Sequence, residues 1–231
     1  AHLTDADYLE FILTGRRLLA VGISGGILAL AEAPLEKSAE TSILVPYASA
    51  RHAVKALQTL KPNPITLVLA PGGFLGAAAQ TGKIGLFGRE QVPNVDKIAQ
   101  AFSPASRSVW YISRTGFKAL LERAARMERS GASRAVVRLY TNRIEVVTEQ
   151  THAVFTTSEP ISMAKNPTRL EFPVRAEALL RLATRMSAEK LQLRPATAGV
   201  LLSDGASRHV LIEPRYIPKG SSEPAGPVRG A

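Results

Sequence analysis

The chain has 231 residues, 45% of them hydrophobic, which suffices for one large or two ordinary domains with apolar cores. It has no cysteine, so disulfides, thiolate metal sites and cysteine catalysis are excluded. The 29 Lys and Arg residues outnumber the 19 Asp and Glu residues. The resulting net charge of +10 favours contact with a polyanion such as nucleic acid over an arginine-rich surface without a ligand.

Two further features narrow the class of protein. No apolar run approaches the ~20 residues of a membrane-spanning helix, and the acidic start AHLTDADYLEF lacks the core of a signal peptide, which favours a cytoplasmic protein. The four histidines have no metal-ligand spacing, so we expect neither a metal nor a cofactor.

The first part of the chain predicts mostly strands around one helix. The predicted strands are 8–13, 17–23, 27–35, 42–46, 65–70, 74–81 and 83–90. Helix 48–61 has Ser49 as its predicted N-cap. The predicted apolar face of that helix consists of Ala53, Val54, Ala56, Leu57 and Leu60. Segment 91–106 has two prolines and no clear period, which predicts an irregular connector between two domains at 1–103 and 104–217.

The second part predicts two more helices among strands. Ser113 caps a helix at 114–131, which Gly131 ends, and a third helix covers 175–187. The predicted strands are 108–113, 134–141, 143–149, 152–159, 190–195, 199–204 and 208–214, with turns at 141–142 and Asp204-Gly205. The polar segment 218–231 is rich in Pro and Gly and predicts a disordered tail.

This order of elements predicts an α+β fold. Several strands separate each helix from the next, which excludes simple βαβ alternation and argues against a doubly wound parallel sheet. Two copies of a similar unit, each with runs of strands and few helices, account for the pattern.

The stretch Gly22-Ile23-Ser24-Gly25-Gly26 matches the G-x-S-x-G frame that holds the nucleophile of α/β-hydrolases. That frame needs a helix after the serine, and the chain reaches Pro34 too soon for a helix long enough to cover a sheet. Asp96 or Asp204, followed by His209, gives the chain order Ser, acid, His of a hydrolase triad, but nothing in the sequence marks either aspartate as the partner of His209. We therefore interpret Ser24 as part of a turn between strands and expect no catalytic residue; a hydrolase is the alternative.

Longer stretches resemble the bacterial DNA polymerase III β sliding clamp. LEFILTGRRLLAVGISGGILALAEAPL resembles the middle of that family's three domains, where a T-D-G-H-R-L-A motif joins two strands, and the likeness continues through TSILVPYASARHAVKALQTL and GKIGLFGREQVPNVDKIAQAF. SVWYISRTGFKALLERAARME and LEFPVRAEALLRLATRMSAEKLQLRP resemble the third domain, and HVLIEPR lies where the family ends in V-[VL]-M-P-M-R. The resemblance spans residues 8–216 and implies the sliding-clamp (processivity) fold, with two similar domains of antiparallel sheets.

The sequence also departs from the family. The first domain has no counterpart here, nor has the first helix of the middle domain. Gly26 and Ile27 replace a family His-Arg pair, Ile23 replaces a threonine, and Glu213 replaces a methionine.

The resemblance implies a non-enzymatic processivity factor of DNA replication or repair, whose domains form a ring around duplex DNA. Each of the three predicted helices has an apolar stripe and a second face with two or more cations, which suits contact with phosphates. The cations expected to contact DNA are Arg51, Lys55, Arg114, Lys118, Arg126, Arg175, Arg181 and Arg185. The alternative for each is a solvated helix face. A six-domain ring built from two-domain chains needs three copies, so a closed homo-oligomer would be a trimer.

The resemblance also implies a groove between the two domains, which in the family accepts a short peptide from polymerases and other DNA enzymes. The matching residues are Ile23, Gly25, Leu28, Pro93, Ile98 and Leu211, with Lys97 at a family arginine position. Apolar anchors in such a groove carry most of the affinity. Plain core and turn residues are the alternative, and the replacements at Gly26, Ile27 and Glu213 leave the peptide specificity open. A clamp-fold interaction module that does not encircle DNA is therefore the alternative function.

Overall fold

The structure is a computed structural model that describes most of the chain. The described residues are 8–24, 27–60, 66–70, 73–79, 82–91, 95–129, 134–150, 153–163, 169–205 and 208–212. The tail predicted at 218–231 lies outside them, so its disorder stays a prediction.

The first part of the chain contains eight strands and two helices within the described residues. In chain order they are β1 Tyr8–Thr14, β2 Arg17–Ser24, β3 Ile27–Pro34, β4 Thr41–Pro46, α1 Tyr47–Leu60, β5 Thr66–Ala70, β6 Phe74–Ala79, β7 Gly82–Phe87, β8 Arg89–Gln91 and α2 Val95–Phe102.

The second part contains two helices among nine described strands. In chain order they are β9 Trp110–Ser113, α3 Arg114–Arg129, β10 Ala135–Leu139, β11 Arg143–Gln150, β12 Ala153–Pro160, β13 Ser162–Met163, β14 Leu170–Val174, α4 Ala176–Arg185, β15 Lys190–Ala196, β16 Gly199–Ser203 and β17 Arg208–Ile212.

All described strand pairs are antiparallel, and they form three sheets. A ten-stranded sheet has the order β13-β9-β15-β16-β17-β3-β2-β1-β4-β8, a four-stranded sheet has the order β12-β11-β10-β14, and a three-stranded sheet has the order β5-β6-β7. The large sheet joins the two parts of the chain, because β17 pairs with β3 from Arg208 opposite Ala31 to Ile212 opposite Ile27.

The order of elements repeats along the chain. In both parts a three-stranded meander is followed by a strand that pairs with its first member, then a helix, then a second meander. The first unit runs β1-β2-β3, β4, α1, β5-β6-β7; the second runs β10-β11-β12, β14, α4, β15-β16-β17. The short strand β13 and the pair β9-α3 are additions to the second unit. The domain boundary between 103 and 104 stays a prediction.

The two faces of the ten-stranded sheet carry different helices. On one face, α3 and α4 pack through Phe117, Leu120 and Leu179 onto strand residues that include Trp110 and Leu193. On the same face, α1 packs through Ala50 onto Leu9, Ile43 and Val45. The strand register from β17 through β3 and β2 to β1 places these residues on one side of the pleat. We call this side the helix face.

The opposite side, which we call the outer face, is covered in part by α2. Val95 and Ile98 pack on the cluster of Ile12, Leu19 and Val21, and Ala101 and Phe102 pack on Ala196 and Leu201. Leu28 contacts both groups, so α2 bridges the strands of the two units.

The helix α2 corrects the expectation of an irregular connector at 91–106. The apolar residues of α2 recur at helical spacing over only two turns, at Val95, Ile98, Ala101 and Phe102. The sequence pattern for a helix is therefore short, and the two nearby prolines favoured an irregular segment instead. Packing on the outer face stabilises the helix, because an isolated helix of this length is marginal in water.

The first helix also differs from its prediction. It begins at Tyr47, so Ser49 lies inside the first turn and is not the N-cap. Ala50 and Ala53 are the buried positions, whereas Val54 is 48% exposed and Ala56 is exposed. The helix packs on its sheet through the face that contains Ala50 and Ala53. The spacing of apolar residues alone did not distinguish this face from the adjacent face that contains Val54. None of the helices in the described part of the chain is long and apolar enough to cross a membrane.

Candidate functional site

Ser24 lies at the end of a strand that forms a hairpin. It is the last residue of β2 and pairs with Ile27, the first residue of β3. A nucleophile elbow places a helix directly after the serine, and here a second strand follows. Ser24 therefore lies between two paired strands, as the sequence predicted, and this arrangement lacks the helix that a nucleophile elbow at Ser24 requires. Gly25 and Gly26 lie outside the described residues.

His209 has a different serine partner from the one that the triad order suggests. Its Nδ1 lies 2.9 Å from Oγ of Ser203 in the adjacent strand, and the backbone N–H of Gly205 donates to the same Oγ at 2.9 Å. Ser203 is only 1% exposed, so it offers no accessible nucleophile. Burial lowers the pKa of His209, which keeps the imidazole neutral near pH 7. No group of three or more His, Asp or Glu side chains suited to a metal ion occurs in the described residues.

The cations of α1 point away from its sheet. Arg51 and Lys55 are exposed and lie one helical turn apart. Neither side chain has an ion-pair partner within the described part of the chain. This pair therefore has the solvation and spacing that contact with successive phosphates requires.

The cations of α3 are held in different ways. Lys118 is half-buried and Arg126 is exposed, and neither has a hydrogen-bond or ion-pair partner within the described residues. The guanidinium of Arg114 donates to the backbone carbonyl of Met186, which follows α4. Arg114 thus ties the start of α3 to the end of α4, and only part of its donor set remains for a ligand.

The cations of α4 are exposed along the helix. Arg181 donates to the carboxylate of Glu177 at 2.6 Å, one turn earlier, and this bond lowers the pKa of Glu177. Both side chains of the pair are nearly half-exposed, so the ion pair is weak and can open to a phosphate. Arg175 and Arg185 are exposed at the two ends of α4.

The tertiary structure brings the eight predicted cations onto three helices that lie on the same side of one continuous sheet. α3 and α4 pack against each other, and α1 covers the neighbouring strands of the helix face. Two exposed cations of α3 were not included in the predicted set, and one of them, Arg123, pairs with Glu159 at 3.0 Å. Arg129, in the last turn of α3, is near enough to Glu177 of α4 for its charge to contribute to the lowered pKa of that carboxyl. Its spacing of three residues from Arg126 is the signal that could have identified it.

The predicted groove residues within the described part of the chain lie on neighbouring strands and on α2. Leu28 is half-buried, and its backbone pairs with Ile23 of β2 on one side and with Leu211 of β17 on the other. Ile98 of α2 packs on the cluster that Leu28 also contacts, and Lys97 precedes it on α2. The described members of the set therefore share one place, at the junction of the two units. Gly25, Pro93 and Glu213 lie outside the described residues.

Ile27 belongs to the other side of the sheet. It is 4% exposed and packs in the core beneath α3 and α4. Ile27 stands where the clamp motif has a charged residue. Its side chain therefore adds to the apolar core of the second unit and does not contribute to the outer face.

Comparison with solved structures identifies the fold. A DNA polymerase III β subunit from Thermotoga maritima matches with a TM-score of 0.72 and 14% sequence identity, over 91% of this chain and 57% of that chain. A Pseudomonas aeruginosa sliding clamp solved with griselimycin matches with a TM-score of 0.73 and 13% identity, over 91% and 57%. A Caulobacter crescentus DNA polymerase sliding clamp matches with a TM-score of 0.70 and 17% identity, over 91% and 58%.

These matches show that the chain has the sliding-clamp fold, and that it spans 57–58% of the length of those structures. No protein-family model and no curated protein sequence matches it.

Proposed function

We propose that this chain, which has the fold of the DNA polymerase III β sliding clamp, is a non-enzymatic DNA-associated protein that contacts the duplex backbone without reading sequence. The observation that carries the proposal is the placement of α1, α3 and α4 on one face of a continuous sheet, with Arg and Lys residues on their solvent sides. The net charge of +10 supports the same ligand.

The arrangement suits phosphates because the cations are spread over several helices. Long side chains on rigid helices can follow a polyanion without base contacts, and binding releases condensed counterions. The cations that we assign to this role are Arg51, Lys55, Arg114, Lys118, Arg126, Arg175, Arg181 and Arg185. Arg114 contributes least, since its guanidinium already binds the Met186 carbonyl. Contact with chromosomal DNA in replication or repair would occur in the cytoplasm of a bacterial cell.

The proposal is tested by measuring the affinity for a fluorescent DNA duplex over a range of salt concentrations. We expect the logarithm of the affinity to fall linearly with the logarithm of salt concentration, because each phosphate contact adds ~0.9 to the slope. The double variant Arg51→Glu/Lys55→Glu should weaken binding to every duplex sequence alike and reduce the slope by about 2, or about 1 per lost contact.

The matched control is Arg16→Glu/Lys37→Glu, which changes the net charge equally at two exposed loop positions. We expect it to retain most of the affinity. Equal losses in both double variants would show that only net charge matters, and a folded chain without affinity at low salt would contradict the proposal.

A second candidate function is an interaction module that binds a replication or repair protein without encircling DNA. It is favoured by the outer face, where Leu28 and Ile98 stay half-buried beside α2 at the junction of the two units. The partner would present a short apolar peptide, as the groove residues Ile23, Gly25, Leu28, Pro93, Lys97, Ile98 and Leu211 imply. Intact folding with no DNA binding at low salt is the result that would favour this function over the first.

A further inference from the structure

Glu177 is the only acidic residue of α4, and it lies on the solvent side of that helix. Leu179 and Ala183 are buried in the core beneath α3 and α4, and helical spacing places Glu177 and Arg181 on the opposite side of α4. The side chains of Glu177 and Arg181 are 45% and 44% exposed. A negative charge therefore lies among the cations that the proposed function assigns to DNA.

Two arginines on neighbouring helices act on this carboxylate. Arg181 donates to Oε1 of Glu177 at 2.6 Å, from one turn later in the same helix. Arg129, in the last turn of α3, is close enough for its charge to act on the same carboxyl group. These two arginines lower the pKa of Glu177, chiefly through the hydrogen bond from Arg181, so the carboxylate is ionised near pH 7. It is a fixed negative charge where the end of α3 lies beside the start of α4.

We propose that Glu177 is an internal competitor for DNA phosphate, which occupies the guanidinium of Arg181 in the free protein and keeps the contact of α4 with the duplex weak. This inference rests on the proposed function and adds a device that limits affinity at the same face. A phosphate that reaches Arg181 must displace a carboxylate contact, and it then lies beside the negative charge of Glu177. The contact is therefore an exchange of one anion for another.

Such an exchange also makes the phosphate contact easier to break. When the phosphate leaves, the guanidinium of Arg181 returns to the carboxylate of Glu177, so the arginine is not left without an anion. Electrostatic binding that is independent of sequence lets a protein slide along DNA, and weak individual contacts favour that movement.

The three helices of this face differ in their internal anions. α1 contains no acidic residue, and its exposed Arg51 and Lys55 have no ion-pair partner within the described part of the chain. Arg123 of α3 pairs with Glu159 of β12, but this bond also ties the helix to a strand. The pair on α4 lies within one helix at exposed positions, so its removal leaves the packing of α4 on the core unchanged.

The test measures the affinity of full-length variants for a fluorescent DNA duplex at low and at physiological salt. Glu177→Gln keeps the shape of the side chain and removes its charge. We expect this variant to bind the duplex about two- to fivefold more tightly than the wild type at low salt, which is the range set by the loss of an exposed ion pair. The advantage should shrink as salt rises, because salt screens the same pair. Glu36→Gln is the matched control, since it removes one negative charge at an exposed loop position, and its affinity should stay near that of the wild type.

A double-mutant cycle with Arg181→Ala separates competition from the general effect of charge. If Glu177 acts through Arg181, the gain from Glu177→Gln should largely disappear when Arg181 is already absent. The same gain in both backgrounds would show that Glu177 acts only through its long-range charge, and would overturn the proposal. Equal gains from Glu177→Gln and Glu36→Gln would also overturn it, because only net charge would then matter.

The behaviour of the wild type separates this inference from the proposed function. A wild-type chain with no duplex affinity at low salt would contradict the proposed function, and this inference would fall with it. A wild type that binds DNA, beside a Glu177→Gln variant that binds no more tightly, would contradict this inference alone. Far-UV circular dichroism checks that each variant is folded, which the exposure of the substituted positions leads us to expect.

Discussion

His209 shows how one side chain depends on its burial at the junction between the units. It lies on the outer face of β17, with its ring edge-on to Phe102 of α2 and its Nδ1 near the Ser203 hydroxyl. A neutral ring whose Nδ1 is unprotonated can accept a hydrogen bond from the Ser203 hydroxyl, whose oxygen accepts the Gly205 N–H. Asp204 and Glu32 favour the charged ring and Arg194 disfavours it, but burial is the largest effect and lowers the pKa of His209.

This lowered pKa predicts a pH dependence of stability. The unfolded chain binds a proton at His209 near its ordinary pKa of 6.5, whereas the folded chain does so only at lower pH. The unfolded state therefore holds more protons in that window, and the free energy of unfolding falls as pH decreases below about 6.5. Urea unfolding at several pH values should show this slope in the wild type and a flatter one in His209→Gln. Equal slopes in the two proteins would contradict the assignment.

At the scale of elements, Glu128 holds two helices and a strand together. Its carboxylate on α3 accepts the backbone N–H of Ala135 at the start of β10, at 3.0 Å, and that of Ala176 at the start of α4, also at 3.0 Å. The N-cap residue of α4, Arg175, makes no side-chain capping bond. Glu128 thus caps α4 from a neighbouring helix, where a negative charge also meets the helix dipole favourably.

Loss of this carboxylate should destabilise the fold measurably. We expect Glu128→Ala to lower the free energy of unfolding by about 1–2 kcal/mol, because it removes a helix cap and leaves backbone donors without their acceptor. Glu122→Ala, at an exposed position on the same helix, should change it by less than about 0.5 kcal/mol. Urea unfolding of the two variants measures this difference. Similar losses in the free energy of unfolding for both variants would contradict the proposed capping of α4 by Glu128.

At the scale of the whole molecule, the ten-stranded sheet contains strands of both units and couples their folding. β17 and β3 pair in the middle of ten strands, and α2 covers the junction through Leu28. Neither unit can unfold without exposing apolar surface of the other, since Ile27 and Ala29 of the first unit lie in the core of the second.

We therefore expect one cooperative unfolding transition. Trp110, the only tryptophan, is fully buried in the second unit, so its fluorescence reports that unit, while circular dichroism reports both. The two denaturation curves should coincide. A fraction of the dichroism lost before the fluorescence changes would show that the first unit unfolds alone.

Periodicity and turn chemistry alone predicted much of the fold. The strand pattern around Ser24 indicated a hairpin instead of a nucleophile elbow, and Ser113 was correctly predicted to cap α3, where its hydroxyl accepts the Gly116 N–H at 3.3 Å. The resemblance of chain order to the sliding clamp predicted the fold that the solved structures share. These features depend on neighbours within a few residues or on the order of segments, and both are written directly in a sequence.

Other features were decided only by contacts between distant segments. The helix α2 is stabilised by the outer face of both units, and Val54 is exposed because the sheet meets α1 along Ala50 and Ala53. An amphipathic pattern says that an element has an apolar side but does not say which surface will cover it. The sequence by itself therefore determined most of the elements and the placement of cations on helices. Only the tertiary structure decided that three of these helices share one face, because strand register arises from pairing between remote parts of the chain.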